Sequence, residues 1–412
     1  MHPFWAFLIC LILITIGSVR YRLPAFLLLI GAALFYGFIT GMTPERILTA
    51  STSGGGAVFA TLGIVIYAGA VIAAVLQEGG FLSRIVHDLE RFSSRPSYIA
   101  GIGGYLITVP MMCCVTAFIV LAPITSCMSG ETRIRSRLLY LTAFGSVLAF
   151  VLIYPAPVML GMVESITPDL GSPYRLDLLT IPLSLLILGL ACAIQKLPSS
   201  TAPAMCPPQE LPSFFRSWAP FLAILLLILL GLTLPPLHPL GNVNLALLGG
   251  VAVALAIISS GVRTTAIATG TKRAGVIIFD LCGAGAFGGV IAASTFPRLA
   301  FETLSGMLPI ILLPFILAAI IQAAQGSRTV SALVTAQILS VTTLAQSIVP
   351  LSLLLMIAGG TCAVSYLSDP YFWLIQRTTG DSPGDVVRSY TIPLALAGCA
   401  ILGVALLVQF LS

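Results

Sequence analysis

Charge is what the sequence has least of. Only 8% of its 412 residues are charged, while 58% are hydrophobic and the mean hydropathy is +1.08. A soluble core cannot hide that much apolar surface, so the chain reads as an all-α polytopic membrane protein. A transmembrane β-barrel would need segments of roughly 10 residues that alternate apolar and polar. Here the apolar runs are continuous and about 20 residues long, which favours helices. The formal charge of +5 does not point to nucleic acid, because the basic residues are scattered between apolar runs rather than gathered in a patch.

Catalytic and metal-binding signatures are also missing. The nine cysteines form no CxxC and lie mostly inside apolar segments, where they act as small core residues. The three histidines, His2, His87 and His238, form no HExxH and lie outside the apolar core. Lys196 and Lys272, the two lysines, are expected in loops, which argues against a Ser/Lys dyad. No enzyme, metal site or cofactor is expected. Glycine clusters at 53–59, 101–105 and 283–289 lack the Lys-Ser/Thr pair of a phosphate loop; small residues there let membrane helices approach closely. The N-terminal stretch has no basic n-region and no small-x-small site before Arg20, so it reads as a retained first span.

Apolar runs predict ten spans, near 4–19, 23–41, 54–77, 136–153, 177–195, 217–233, 243–261, 274–293, 349–367 and 389–411. Two further stretches, 97–128 and 305–342, are interrupted at "TVPMMCC" and "AQGSRT". Their arms are too short to cross a ~30 Å core, so both read as re-entrant hairpins. With the N-terminus outside and each hairpin returning to its own side, 15 of the 19 basic residues fall on one face. Arg46, Arg175 and Arg298 lie on the other, and Arg328 belongs to neither. That asymmetry predicts a multi-pass inner-membrane protein with a basic cytoplasmic face and both termini extracytoplasmic.

The second half resembles the first at an offset of 215 residues: Val115 falls on Val330, Thr116 on Ser331 and Pro155 on Pro370. Each half holds five spans and one hairpin, so the second copy enters the membrane inverted. The expected organisation is repeat 1 over 1–195, a proline-rich cytoplasmic linker over 196–216, and repeat 2 over 217–412. Inverted repeats with broken helices are the architecture of secondary transporters.

Helices that start at the bilayer midplane direct unpaired N–H groups inward and favour anions. Four such starts are expected: the two hairpin tips and the breaks at Pro155–Pro157 and Ser368–Pro370. Arg328 either grips a substrate carboxylate, pairs with Asp369, or reaches the outer surface. Gln325, Ser327, Thr329 and Ser331 offer neutral hydrogen-bonding groups to a hydroxylated solute, or satisfy the hairpin's own backbone. Gly326 and Ser368, and Thr116 in the first hairpin, are expected to line the same site. Asp369 either caps the helix that starts at Pro370 or carries a coupling ion. Asp280, placed about two turns into its span, is the second coupling candidate.

"AAQGSRTVSALVTA" resembles the "AQGSATVA" hairpin of the gluconate permease family, within the wider ion-transporter superfamily. "CGAGAFGGVIAAS" resembles that family's "GAGGAF", and "VSYLSDPYFWL" its "SHVNDSGFW", keeping Ser365, Asp369, Phe372 and Trp373. "YPAP" resembles its "PPHPGP". The resemblance implies proton-coupled uptake of sugar acids or similar hydroxy-carboxylates, with Na⁺ as the alternative coupling ion. It implies a scaffold and a transport domain, elevator-like motion and an often homodimeric assembly embedded in lipid. The departures are Cys114 for an acidic residue, Ala156 for a histidine, Tyr366 and Ser368 for His and Asn, and Arg328 for alanine. The rival expectation is a membrane sensor or assembly protein that keeps the transporter fold without flux.

Overall fold

The computed structural model describes residues 3–21, 23–90, 95–168, 173–195, 212–234, 239–296, 299, 309–366 and 369–411. Nearly all of these lie in helices, and no strand occurs among them. In chain order the helices are α1 (Pro3–Val19), α2 (Ala25–Ile39), α3 (Pro44–Glu78), α4 (Phe81–Glu90), α5 (Pro96–Met111) and α6 (Cys114–Cys127). There follow α7 (Thr132–Leu152), α8 (Pro157–Ile166), α9 (Asp177–Ile194), α10 (Phe214–Thr233), α11 (Val243–Ile257) and α12 (Ser260–Ala292). The last five of the longer helices are α13 (Leu313–Gln325), α14 (Arg328–Ser340), α15 (Pro350–Ala363), α16 (Pro370–Thr379) and α17 (Ile392–Leu411). Among the described residues, six helical stretches are long and apolar enough to cross a membrane, and six shorter apolar ones accompany them.

Proline sets many of the starts. Pro44, Pro96, Pro157, Pro350 and Pro370 each occupy the first helical turn, where the missing N–H costs nothing and the fixed φ suits the helix. The same residue type therefore both ends one segment and begins the next.

Two helices run past the expected spans. α3 has 35 residues and begins ten before the predicted 54, and α12 has 33 and begins fourteen before the predicted 274. At ~1.5 Å per residue each is about 50 Å long, well beyond a ~30 Å hydrocarbon core. The expected loop over 262–273 is thus helix, and Lys272 and Arg273 ride on it rather than in a connection. Apolarity marks only the part of a helix that meets lipid; the backbone ladder continues wherever charged residues find water.

α3 and α12 pack antiparallel at the centre of the fold. A Cβ on Gly54 would meet the Gly285 carbonyl at 2.2 Å, and one on Gly270 would meet Val71 Cα at 2.7 Å. Backbones approach this closely only because no side chain intervenes. The two interrupted stretches flank this pair. α5 and α6 join through Met112 and Cys113, and α13 and α14 through Gly326 and Ser327. Arms of 13 to 16 residues reach about 20–24 Å, short of a full core. Residues 305–308, and 196–211 of the expected linker, lie outside the described residues.

Candidate functional site

The second hairpin turns on glycine. Gly326 takes φ 76, a left-handed conformation that costs a Cβ-bearing residue dearly, and its N–H donates to the Gln322 carbonyl to close α13. Ser327 returns the chain to extended geometry as the N-cap of α14. Arg328 then opens α14 at its first position, only 4% exposed.

Three oxygens face the Arg328 Nη2 atom. Asp369 Oδ2 lies at 3.1 Å, Ser365 Oγ at 3.2 Å and Tyr390 Oη at 3.2 Å. Ser365 Oγ also donates to Asp369 Oδ2, and Asp369 Oδ1 accepts from the Tyr371 N–H at 2.8 Å. Asp369 therefore caps α16 and pairs with Arg328 at once. Of the two alternatives the sequence left open for it, cap or carrier of a coupling ion, the cap is formed. The guanidinium carbon sits 5.9 Å from the centre of the Tyr371 ring, within cation–π range.

Two donors in this cluster lack an acceptor among the described residues: Arg328 Nε and Gln322 Nε2. Gln322 is fully buried in the last turn of α13, and its Oε1 accepts from Ser331 Oγ at 3.0 Å across the hairpin. Ser331 Oγ lies also 2.8 Å from the Ser327 carbonyl, so its one proton is shared between two acceptors. Buried donors without acceptors are costly; Arg328 Nε stands at the start of α14 and Gln322 Nε2 in the last turn of α13.

Other elements converge on the same core. Tyr371 stacks edge-on against Phe118 of α6 and against Tyr390, with ring centres 5.7 and 5.9 Å apart, and its hydroxyl donates to the Ala143 carbonyl of α7. α8 packs on α14, where Gly161 faces Leu333. Thr15 of α1 donates to the Ala324 carbonyl at 2.7 Å, one of the groups that the end of α13 leaves unpaired. A cavity of about 530 Å³ is lined by Thr61, Tyr154, Glu164, Tyr174, Asn242 and Asn244 among others. A second, of about 180 Å³, shares Thr61 and Glu164 with it and reaches Leu333, Gln337 and Ser340 on α14.

The family model described as GntP family permease matches residues 3–411. The chain belongs to the GntP permease family. It is 26% identical to the low-affinity gluconate transporter of Escherichia coli strain K12, covering 94% of this chain and 96% of the relative. It is 25% identical to the D-serine transporter DsdX of the same strain, covering 98% and 97%. Among solved structures, the YdaH transporter of Alcanivorax borkumensis superposes with a TM-score of 0.62 at 19% identity, over 93% of this chain and 96% of that one. This chain is accordingly a membrane permease and not an enzyme.

The permease gathers some of the expected site residues and separates others. Gly326, Ser327, Arg328, Thr329, Ser331 and Asp369 share the second hairpin tip and the break that faces it. Thr116 is half-buried in the first turn of α6, two residues before the Phe118 that packs on Tyr371. The side chain of Gln325, and Ser368 as a whole, lie outside the described residues. Asp280 is elsewhere. It lies in the second half of α12, not two turns from its start, and its Oδ1 accepts the Phe26 N–H at 3.1 Å in the first turn of α2. That is a cap supplied from a neighbouring helix.

Gln322, Tyr371 and Tyr390 were not legible as site residues. Gln322 carried a signal, since an amide in the run "FILAAIIQAA" is expensive in lipid unless it has a partner. Tyr390 carried none: it stands 62 residues from Arg328, just after Arg388 and Ser389 where the last apolar run begins.

Proposed function

We propose that this permease is a secondary transporter of small hydroxy-carboxylates, sugar acids among them, working by elevator-like alternating access in the inner membrane. The observation that carries the reading is the pair of buried donors on the two arms of the second hairpin, Arg328 Nε at the start of α14 and Gln322 Nε2 in the last turn of α13, that have no acceptor among the described residues. A carboxylate with neighbouring hydroxyls supplies acceptors to both. Gluconate and D-serine, named for two relatives, each pair a carboxylate with a hydroxyl on a short carbon chain. A site of this kind suits that common chemistry.

The inverted-repeat organisation belongs to the same reading. Support comes from element order: a long helix, a helical hairpin, a helix ending at a proline break, a short helix and a long helix occur from α3 to α9 and again from α12 to α17. Contacts recur as well. Gly145 meets the Gly101 carbonyl of its hairpin arm, and Gly360, 215 residues on, meets the Phe315 carbonyl of the other. Five spans per half would turn the second copy over and leave the hairpins opening to opposite faces, one per access route. H⁺ is the coupling ion expected in this reading, with Asp280 as its carrier, because Asp369 is already engaged by Arg328.

The test is uptake of radiolabelled gluconate and D-serine, and a thermal-shift screen of other hydroxy-carboxylates, on the purified and reconstituted full chain. Accumulation that depends on an imposed ion gradient supports the reading. Stabilisation by a carboxylate without any flux of it would favour the sensor alternative, and absence of both would count against carboxylates as the solute.

A further inference from the structure

We propose that Arg328 is a tethered cation standing at Asp369 in the place a mobile coupling ion would take, so that no proton or Na⁺ is exchanged at this carboxylate. The proposal rests on the transport reading in that it concerns the same site. A carboxylate enclosed in protein needs a countercharge, which can be a proton, a bound metal ion or a fixed basic side chain. Asp369 is 1% exposed and has the third kind.

The geometry leaves little room for another. Asp369 Oδ1 is taken by the Tyr371 N–H. Oδ2 is taken by Ser365 Oγ and by Arg328 Nη2. The other titratable groups facing the pair are Tyr371 and Tyr390, with Cys114 from α6 and Cys362 from α15. None of these adds a positive charge. A proton placed on Asp369 would leave a guanidinium enclosed without its anion, and Na⁺ would have to sit against the guanidinium it resembles in charge. Both replacements undo the pairing rather than add to it.

The position of Arg328 strengthens the point. It opens α14 while Asp369 precedes α16, so the pair bridges two segments 41 residues apart in the chain and leaves no net charge where they meet. The alanine in the family motif at this place would remove the bridge and leave Asp369 without a cation. Arg328 therefore has two parts: Nη2 holds Asp369, and Nε remains for the solute.

The experiment is thermal unfolding of the purified full chain, first as Na⁺ replaces choline at constant ionic strength, then as pH falls from neutral to mildly acid. Wild type, Arg328→Ala and Arg328→Ala/Asp369→Asn are compared. Without the guanidinium, the folded state gains more from a proton or Na⁺ at Asp369 than the unfolded state does, so its stability rises as either is added. The expected result is that Arg328→Ala unfolds several degrees below wild type and recovers at least half of that loss with acid or Na⁺. The double variant should show no such recovery. Arg328→Gln, which keeps a donor and fills the space, repeats the comparison if the alanine variant does not fold. A wild type stabilised by Na⁺, or single variants with no cation response beyond that of wild type, would overturn the proposal. Failure of the transport reading would instead appear as absence of solute binding, which leaves these curves untouched.

Discussion

Arg328 Nη2 lies 3.1 Å from Asp369 Oδ2 although 41 residues separate them in the chain, and both side chains are almost wholly enclosed. Neither residue can be removed alone without stranding a buried charge. Arg328→Ala should destabilise the fold by roughly 3–5 kcal/mol, and a shape-filling apolar pair such as Arg328→Met/Asp369→Leu should recover most of that loss. Denaturation of wild type, Arg328→Met, Asp369→Leu and the double variant closes a double-mutant cycle, and the coupling read from it checks this. Additive losses would mean that the pair does not interact as described.

Gln322 offers a sharper test of solute recognition. Its Nε2 faces no acceptor among the described residues, while Oε1 is held by Ser331. Gln322→Ala should cost one neutral hydrogen bond, about 1 kcal/mol or a five- to tenfold loss of solute affinity. Gln322→Glu places an anion beside an anion and should lose more. Equilibrium binding of the transported carboxylate to each variant decides the matter.

The crossing of α3 and α12 predicts its own failures. A methyl group on Gly285 would lie 2.4 Å from the Gly54 carbonyl, a backbone atom that cannot rotate away. Gly285→Ala should therefore force the helices apart and cost about 1–3 kcal/mol, with Gly285→Val worse. Gly56 has open space where its Cβ would be, so Gly56→Ala is the control that leaves unfolding temperature nearly unchanged or slightly raised.

Glu164 lines both cavities and is exposed. If the proposed organic anion enters through these cavities, the carboxylate repels it. Glu164→Gln should raise the rate of uptake, and the gain should shrink as ionic strength rises because exposed charges are screened. Initial rates measured at low and high salt test both halves of the statement.

Much of the hairpin geometry was legible because polar residues and prolines punctuate apolar sequence. "AQGSRT" and "SDP" marked where helices start, and Cys114, Arg328, Pro157 and Pro370 are indeed first residues of helices. The true lengths of α3 and α12 were not legible. Hydropathy falls at Arg46, Lys272 and Arg273, yet helical hydrogen bonding is indifferent to the solvent beside it. The outcome for Arg328 was undecided for a different reason. Its partners Ser365, Asp369 and Tyr390 come from a break and from the turn before α17, and no local spacing relates them. Asp280 was legible as a costly acidic residue in an apolar run, but its contact with the Phe26 N–H of a neighbouring helix start was not, because 254 residues separate the two in the chain.

The most direct test of the account is calorimetric titration of the reconstituted permease with gluconate, in wild type and in Gln322→Ala, alongside flux of the same solute. The account predicts saturable binding that weakens about five- to tenfold in the variant, with flux falling in step. Undiminished affinity and transport in Gln322→Ala would show that the solute does not meet the second hairpin tip.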